Sequence, residues 1–228
     1  MVASRSRSRY NSIGENACRP PIQQPRFGVD PCINGWKRHA RWIESASDEE
    51  MGRTRNVGYR AGIGDDLHRL TEGRPLILGG VRVPFERGLL GHSDADVVLH
   101  AVTDALLGAA ALGDIGEHFP DVDPRWKGAD SAVLLVAALE RVRERGCEPV
   151  NCDVVIHAQQ PKLGPWKVQI RDNLARLLGL PQDAVNVKAK TEEHVGPVGR
   201  GEAISALAIV LCRLAEGNEG SRTMEFGP

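Results

Sequence analysis

From residue 56 onward, apolar runs alternate with glycine-rich and polar breaks. "NVGYRAGIG" puts Val57, Tyr59, Ala61 and Ile63 at every second position. That is the period of a half-buried strand, and it gives out near "GDDLH", residues 64–68. "PLILGGVRVPF" carries Gly79-Gly80 between two apolar segments and reads as a hairpin. Residues 93–112 read as a long helix, with Ser93 as N-cap and Gly113 as stop. A second helix spans 128–146, and a third spans 165–180 with Pro165 in its first turn. "PVNCDVVIHA" and "AVNVKAKT" are strands. "EAISALAIVLCRL", residues 202–214, is so continuously apolar that periodicity does not separate strand from helix. The alternation predicts an α/β fold (an α+β sandwich), a mixed sheet with helices packed on it.

The two ends differ. Residues 1–55 are rich in Arg, Ser and Pro and have no apolar period, so burial cannot offset their ordering entropy. They are expected to be a disordered extension, or an upstream start that is never translated. The Arg- and Ser-rich, acid-poor composition also fits an organelle transit peptide, and "SRSRSR" fits an RNA-binding arm. The folded domain is expected at 56–216, with a loose tail at 217–228.

Composition narrows the picture. Of 228 residues, 41% are hydrophobic and only 4% aromatic, so the core must be built from Val, Leu, Ile and Ala. A net charge of -1 gives no global pull toward nucleic acid or an anionic membrane. No apolar run approaches the roughly 20 residues of a membrane helix. The five cysteines include no C-x-x-C pair and are odd in number, which fits free thiols in a reducing compartment. A metal would therefore rest on His and carboxylate.

Asp66 and His68, two residues apart, share one face of a strand. Asp65 points to the opposite side. Asp96, His100 and Asp104 recur every fourth residue along an otherwise apolar helix. His100 alone fits a hydrogen-bonded core histidine. Joined by Asp66 and His68, it completes an N, N, O donor set that suits Zn²⁺ with an open fourth position. Asp96 or Asp104 would then stand behind His100 and accept from its other ring nitrogen.

The remaining polar clusters admit two readings each. His92 and Ser93 precede a helix N-terminus, which favours phosphate but equally suits an ordinary cap. "LGDIGEHFPDVDP", with Asp114, Gly116, Asp121 and Asp123, is either a polar loop or a set of acceptors for sugar-like hydroxyls. Lys162 in "AQQPKLGP" is either solvated or a point charge for a phosphate. In "KAKTEEHVGPVGRGE", Arg200 could take a phosphate bidentately and Glu193 suits Mg²⁺. Neither G-x-x-x-x-G-K-[ST] nor G-x-G-x-x-G occurs. Together the clusters point to metal-assisted phosphoryl chemistry on a small polyol or nucleotide.

Residues 60–214 also resemble the 2-C-methyl-D-erythritol 2,4-cyclodiphosphate synthase family. The resemblance rests on "GDDLHRL", "GLLGHSDADVVLHAVTDALLGAAALGDIGEHFPDVDP", "KGADS", "NCDVVIHAQQPKL" and "NVKAKT…GRGE", in the family's order and spacing. It implies Asp66, His68 and His100 as ligands of one Zn²⁺ per subunit, with a substrate phosphate in the fourth position. It implies His92, beside Ser93, and Thr191 as stabilisers of the transferring phosphate. Asp114, Ile115, Gly116, Phe119, Pro120, Asp121, Val122 and Asp123 would hold the methylerythritol phosphate. Ala158, Gln159, Gln160, Pro161, Lys162 and Leu163, with Lys190, Thr191, Glu192 and Glu193, would hold the cytidine diphosphate. Glu193 would also carry Mg²⁺ or Mn²⁺, and Arg200 would touch a phosphate.

The resemblance further implies a homotrimer with sites shared between neighbouring subunits, in the cytoplasm of a bacterium or in a plastid if 1–55 is a transit peptide. The implied reaction cyclises 4-diphosphocytidyl-2-C-methyl-D-erythritol 2-phosphate and releases CMP. Some members are fused to a cytidylyltransferase, for which this chain has no room. The chain departs from the family at several positions. "KTEE" (190–193) stands where T-T-T-E is common, with Lys190 adding positive charge near the diphosphate and Glu192 adding repulsion. Pro197 replaces a larger apolar residue, Trp166 a smaller polar ring, and Ala95 a frequent Gly. A zinc-dependent phosphohydrolase and a weakly catalytic nucleotide-binding module are the alternative readings.

Overall fold

The computed structural model describes residues 58–120 and 122–215. The expectations for 1–55, for 217–228 and for Asp121 lie outside the described residues. Strand β1 (Tyr59–Glu72) does not stop at "GDDLH" but runs on for another turn of sequence, so Asp66 and His68 are mid-strand. Its buried side is also the opposite of the expected one. Tyr59, Ile63 and Leu67 are 58%, 65% and 55% exposed, while Gly62, Gly64 and Leu70 are buried.

The cause is the helix above. α1 (Val97–Ala110) lies so close to β1 that only glycine fits between them. A Cβ on Gly62 would sit 1.9 Å from the Ala105 carbonyl oxygen, and one on Gly64 would sit 2.2 Å from that of Ala101. The apolar alternation was real, but the helix took the glycine side.

β2 (Leu76–Leu78) and β3 (Val81–Val83) form the expected hairpin. Gly79 and Gly80 both have positive φ at its turn, as a tight two-residue connection requires. The main sheet adds β4 (Arg87–Leu89), β5 (Cys147–His157), β6 (Val185–Lys190) and β7 (Ala203–Leu214) to β1. Its order is β4-β1-β7-β5-β6. β7 pairs antiparallel with β1 and β5, whereas β5 and β6 are parallel, so the sheet is mixed as expected. The segment with no readable period is thus the central strand. It buries Ile204, Ala206, Ala208, Val210 and Cys212 against α1. α3 (Ser131–Glu144) and α4 (Lys167–Leu178) complete the helical layer beside β5 and β6.

The start of α1 corrects a second expectation. Asp96, not Ser93, is the N-cap. Asp96 Oδ1 accepts from the N–H groups of Val98 (3.0 Å), Leu99 (3.1 Å) and Gly79 (2.8 Å), and Oδ2 from that of Gly80 (2.6 Å). One carboxylate therefore ties the hairpin to the helix. Burial pushes its pKa up to about 6 against the pull of the Gly80, Gly79 and Leu99 N–H donors. The helix also ends earlier than Gly113, at Ala111 with φ 55. The supposed loop beyond it contains α2 (Ile115–His118), capped by Asp114, and a short 3-10 turn (Pro124–Trp126), capped by Asp123.

Candidate active site

β1 and α1 bring three donor atoms together. Asp66 Oδ2 lies 2.9 Å from His68 Nε2 and 2.9 Å from His100 Nδ1, and the two ring nitrogens are 3.1 Å apart. The other carboxylate oxygen of Asp66 accepts from the Leu67 N–H at 2.7 Å, which turns Oδ2 toward the histidines. A tetrahedral ion with bonds of about 2.0–2.1 Å holds its donors about 3.3 Å apart, so this triangle fits the face of such a site. Burial alone would raise the Asp66 pKa. Hydrogen bonds and charge from His100 and His68 outweigh it and hold the carboxyl well below the usual range. The donor set is thus ready as an anion facing two imidazoles.

A cleft of about 400 Å³ opens beside the triangle. Gly91, His92 and Ser93 form one side, and Ile115, Gly116, Phe119, Pro120, Val122 and Trp126 the other. Asp104 borders it and accepts from the Ile115 N–H at 2.7 Å, fixing α2 to α1. Burial, followed by the charge of Asp114, raises the Asp104 pKa, while the Ile115 bond lowers it. Asp114 and Asp123 spend one carboxylate oxygen each on caps, from Glu117 N–H (3.0 Å) and Arg125 N–H (3.0 Å). Two buried polar atoms of the lining, His92 Nε2 and Trp126 Nε1, have no partner among the described residues. Buried donors and acceptors left unpaired by the chain mark where a ligand supplies the partner.

The loops after β5 and β6 form a second cluster. Ala158 N–H donates to Lys190 O at 2.9 Å, and Gln159 Nε2 lies 3.3 Å from His194 Nε2. Thr191 Oγ1 donates to Glu193 Oε1 at 2.5 Å. Glu193 and His194 both take positive φ, 46 and 66. Gly199 permits that turn, because a Cβ there would lie 2.5 Å from the His194 carbonyl carbon. Gln159 Oε1 is buried without a partner among the described residues. His68 pairs with Ile204 and His157 with Ser205 across β7, so both clusters lie toward the same end of the central strand. The separation is about two inter-strand spacings, roughly 10 Å. Ala158 to Leu163 and Lys190 to Glu193 contribute nothing to the cleft lining.

Comparison with known proteins decides the affiliation. The model of the YgbB family matches residues 59–213. The chain belongs to the YgbB family. A 2-C-methyl-D-erythritol 2,4-cyclodiphosphate synthase from Dechloromonas aromatica is 59% identical over 155 residues, covering 68% of this chain and 97% of that one. A bifunctional enzyme IspD/IspF from Albidiferax ferrireducens is 58% identical over 167 residues, 73% of this chain but 40% of its own length. A solved synthase in a CDP-bound form aligns with TM-score 0.63 and 46% identity, covering 67% of this chain and 99% of that one.

Within the YgbB frame, the support of His100 was misplaced by sequence reasoning. Asp96 is consumed by its cap and Asp104 by Ile115. Instead His100 Nε2 lies 2.9 Å from Ser131 Oγ and 3.2 Å from Ser93 Oγ. Ser131 Oγ in turn donates to Asp94 Oδ1. With its own hydrogen given to Asp94, Ser131 Oγ accepts from His100 Nε2, which fixes the ring and turns Nδ1 toward Asp66 and His68. The only sequence signal was that "GADS" opens a helix. Ser131→Ala is expected to weaken metal affinity about 10- to 100-fold with the fold intact, read by competition with a chelator.

Two departures also find their reasons. Ala95 takes φ 60, a left-handed conformation that costs about 1–2 kcal/mol for a residue with a Cβ, which explains a preference for glycine there. Glu192 turns toward the end of β5. Its carboxylate pairs with His157 Nδ1. Trp126 was missed because "PRW" carries no motif.

Proposed function

We propose that the chain is a cyclodiphosphate synthase that converts 4-diphosphocytidyl-2-C-methyl-D-erythritol 2-phosphate to 2-C-methyl-D-erythritol 2,4-cyclodiphosphate and CMP. The observation that carries the reading is the Asp66–His68–His100 donor triangle beside the cleft, in a chain 59% identical to a named synthase. Asp66, His68 and His100 would hold one Zn²⁺, and Glu193 with the substrate diphosphate would hold Mg²⁺ or Mn²⁺. These ions supply positive charge against the repulsion of two phosphates.

The chain's own residues position the reaction. The nucleophile, an oxygen of the 2-phosphate, is already an anion, so no strong base is needed. It attacks the β-phosphorus, and the bond to the CMP oxygen breaks in line. His92 Nε2, without a partner among the described residues, would meet a phosphate oxygen, and Thr191 Oγ1, which donates to Glu193 Oε1 in the free chain, would offer a second contact by turning to the phosphate. Ile115, Gly116, Phe119 and Pro120 shape the wall for the methylerythritol carbons, with Ser93 and Val122 beside them. By the family resemblance, Asp114, Asp121 and Asp123 would contribute to the same pocket. Ala158, Gln159, Gln160, Pro161, Lys162 and Leu163, with Lys190, Glu192 and Arg200, form the nucleotide side.

The reading includes a homotrimer. The outer sheet face leaves Tyr59, Ile63, Leu67 and Ile209 exposed, an apolar surface that a neighbour would cover. The cleft and the nucleotide loops are separate on one chain, so a neighbour's loops would complete each site. Among the described residues no helix is long and apolar enough to cross a membrane. The reading places the enzyme in the cytoplasm, or in a plastid if residues 1–55 act as a transit peptide.

Purified protein with Zn²⁺, Mg²⁺ and substrate is expected to release CMP, and phosphorus NMR is expected to find a cyclic diphosphate. A linear product would support the phosphohydrolase instead, and no CMP would sink both.

A further inference from the structure

Arg74 is absent from every cluster discussed so far, yet it grips the loop that carries His92. Its Nη1 donates to the Gly91 carbonyl oxygen at 2.9 Å and its Nη2 to that of Ser93 at 2.5 Å. One rigid guanidinium fork therefore bridges the carbonyls of the two residues that flank His92. Charge-assisted bonds of this kind are roughly twice as strong as neutral ones.

The support of Arg74 is itself braced. It sits in the turn between β1 and β2, behind Gly73 with φ 77 and ahead of Pro75. That turn lies flush on β4, where a Cβ at Gly88 would be 2.2 Å from Pro75 O and 2.5 Å from Arg74 O. β4 leads directly into residues 91–93, so the clamp and the loop share one foundation.

The gripped loop touches the donor triangle at two points. A Cβ at Gly91 would meet the His68 ring at 3.2 Å, and Ser93 Oγ lies 3.2 Å from His100 Nε2. Ala95, held at φ 60, closes the same loop against the N-cap of α1. A loop that contains a strained residue, and an imidazole whose Nε2 has no partner among the described residues, gains its single conformation from restraints such as this clamp.

We propose that Arg74 is a positioning residue of the reaction: it fixes the 91–93 backbone so that His92 and Ser93 meet the phosphate held beside the Asp66–His68–His100 triangle. The inference rests on the synthase reading. Arg74 itself touches carbonyls, not substrate, so its loss acts on geometry.

The test compares the full-length wild type with Arg74→Ala and Arg74→Lys, loaded with Zn²⁺ and Mg²⁺. A small misplacement at a reacting centre costs up to about 100-fold in rate, so Arg74→Ala is expected to lower kcat about 10- to 100-fold. KM for the substrate, zinc per chain and the melting transition should stay near wild type. Arg74→Lys should recover only part of the rate, because one ammonium does not span two carbonyls. Guanidinium ion added to Arg74→Ala should restore rate better than methylammonium does. Amide exchange at residues 91–93 should accelerate in Arg74→Ala.

Unchanged kcat, a loss that follows zinc content, full recovery with lysine, or a failure of both variants to fold would overturn the assignment. If the wild type itself makes no product, the synthase reading fails. Amide exchange at 91–93 then still decides the clamp, with unchanged exchange overturning it.

Discussion

His100→Ala is expected to remove bound zinc and to lower CMP release by roughly 1,000-fold or more. A metal ion contributes several kcal/mol of transition-state stabilisation, and each 1.36 kcal/mol is about tenfold in rate. The variant keeps Asp66 and His68 as two donors 2.9 Å apart, one short of the triangle. It also strips Asp66 of the first of its histidine hydrogen bonds and leaves Ser131 Oγ without the ring it faces. Elemental analysis of dialysed protein, run beside the activity assay, checks both halves. A metal-free variant with full activity would contradict the assignment of the triangle.

The second large effect lies away from any ligand. Gly64→Val is expected to destabilise the fold by about 3 kcal/mol or more and to weaken metal binding with it. The new Cβ would stand 2.2 Å from Ala101 O and 2.7 Å from Ala105 N, both backbone atoms of α1. No rotamer relieves such a contact, so the helix must move off the strand. His100 is the residue before Ala101, and it moves away from Asp66 and His68 as the helix does. Gly164→Ala is the control. Its Cβ would meet nothing within 4 Å, so a change within about 0.5 kcal/mol is expected. Equal denaturation midpoints for Gly64→Val and wild type would refute the close-approach account.

The same glycines explain what could and could not be read in the sequence. The existence of β1, β5, β6 and the three long helices was legible because each has a clear period or cap. The triangle was legible too, since an i, i+2 pair on a strand and a histidine on an apolar helix are local patterns. The face of β1 was not. Hydrophobicity pointed to Tyr59, Ala61 and Ile63, but close contact with α1 selects against side-chain volume, and glycine scores as neither core nor surface. The N-cap slipped from Ser93 to Asp96 because "HSDAD" offers three capping residues and only tertiary bonds to Gly79 and Gly80 choose among them. The partner of His100 was unreadable for a similar reason: Ser131 is 31 residues away and on another helix. β7 lacked a readable period because its inner face is wholly buried while its outer face is also largely apolar.

The place of β7 bears on how the chain acquires its structure. The strand at the middle of the sheet is, among the described strands, the last to be synthesised, and it bridges β1 and β5. Until residue 214 has left the ribosome, the first and fifth strands have no central neighbour, and their facing edges stay open to other chains. Folding must therefore wait for nearly the whole domain and close contacts of long sequence separation, such as Tyr59 with Arg213. Slow, late and sensitive to truncation at its far end is the expected character of that process.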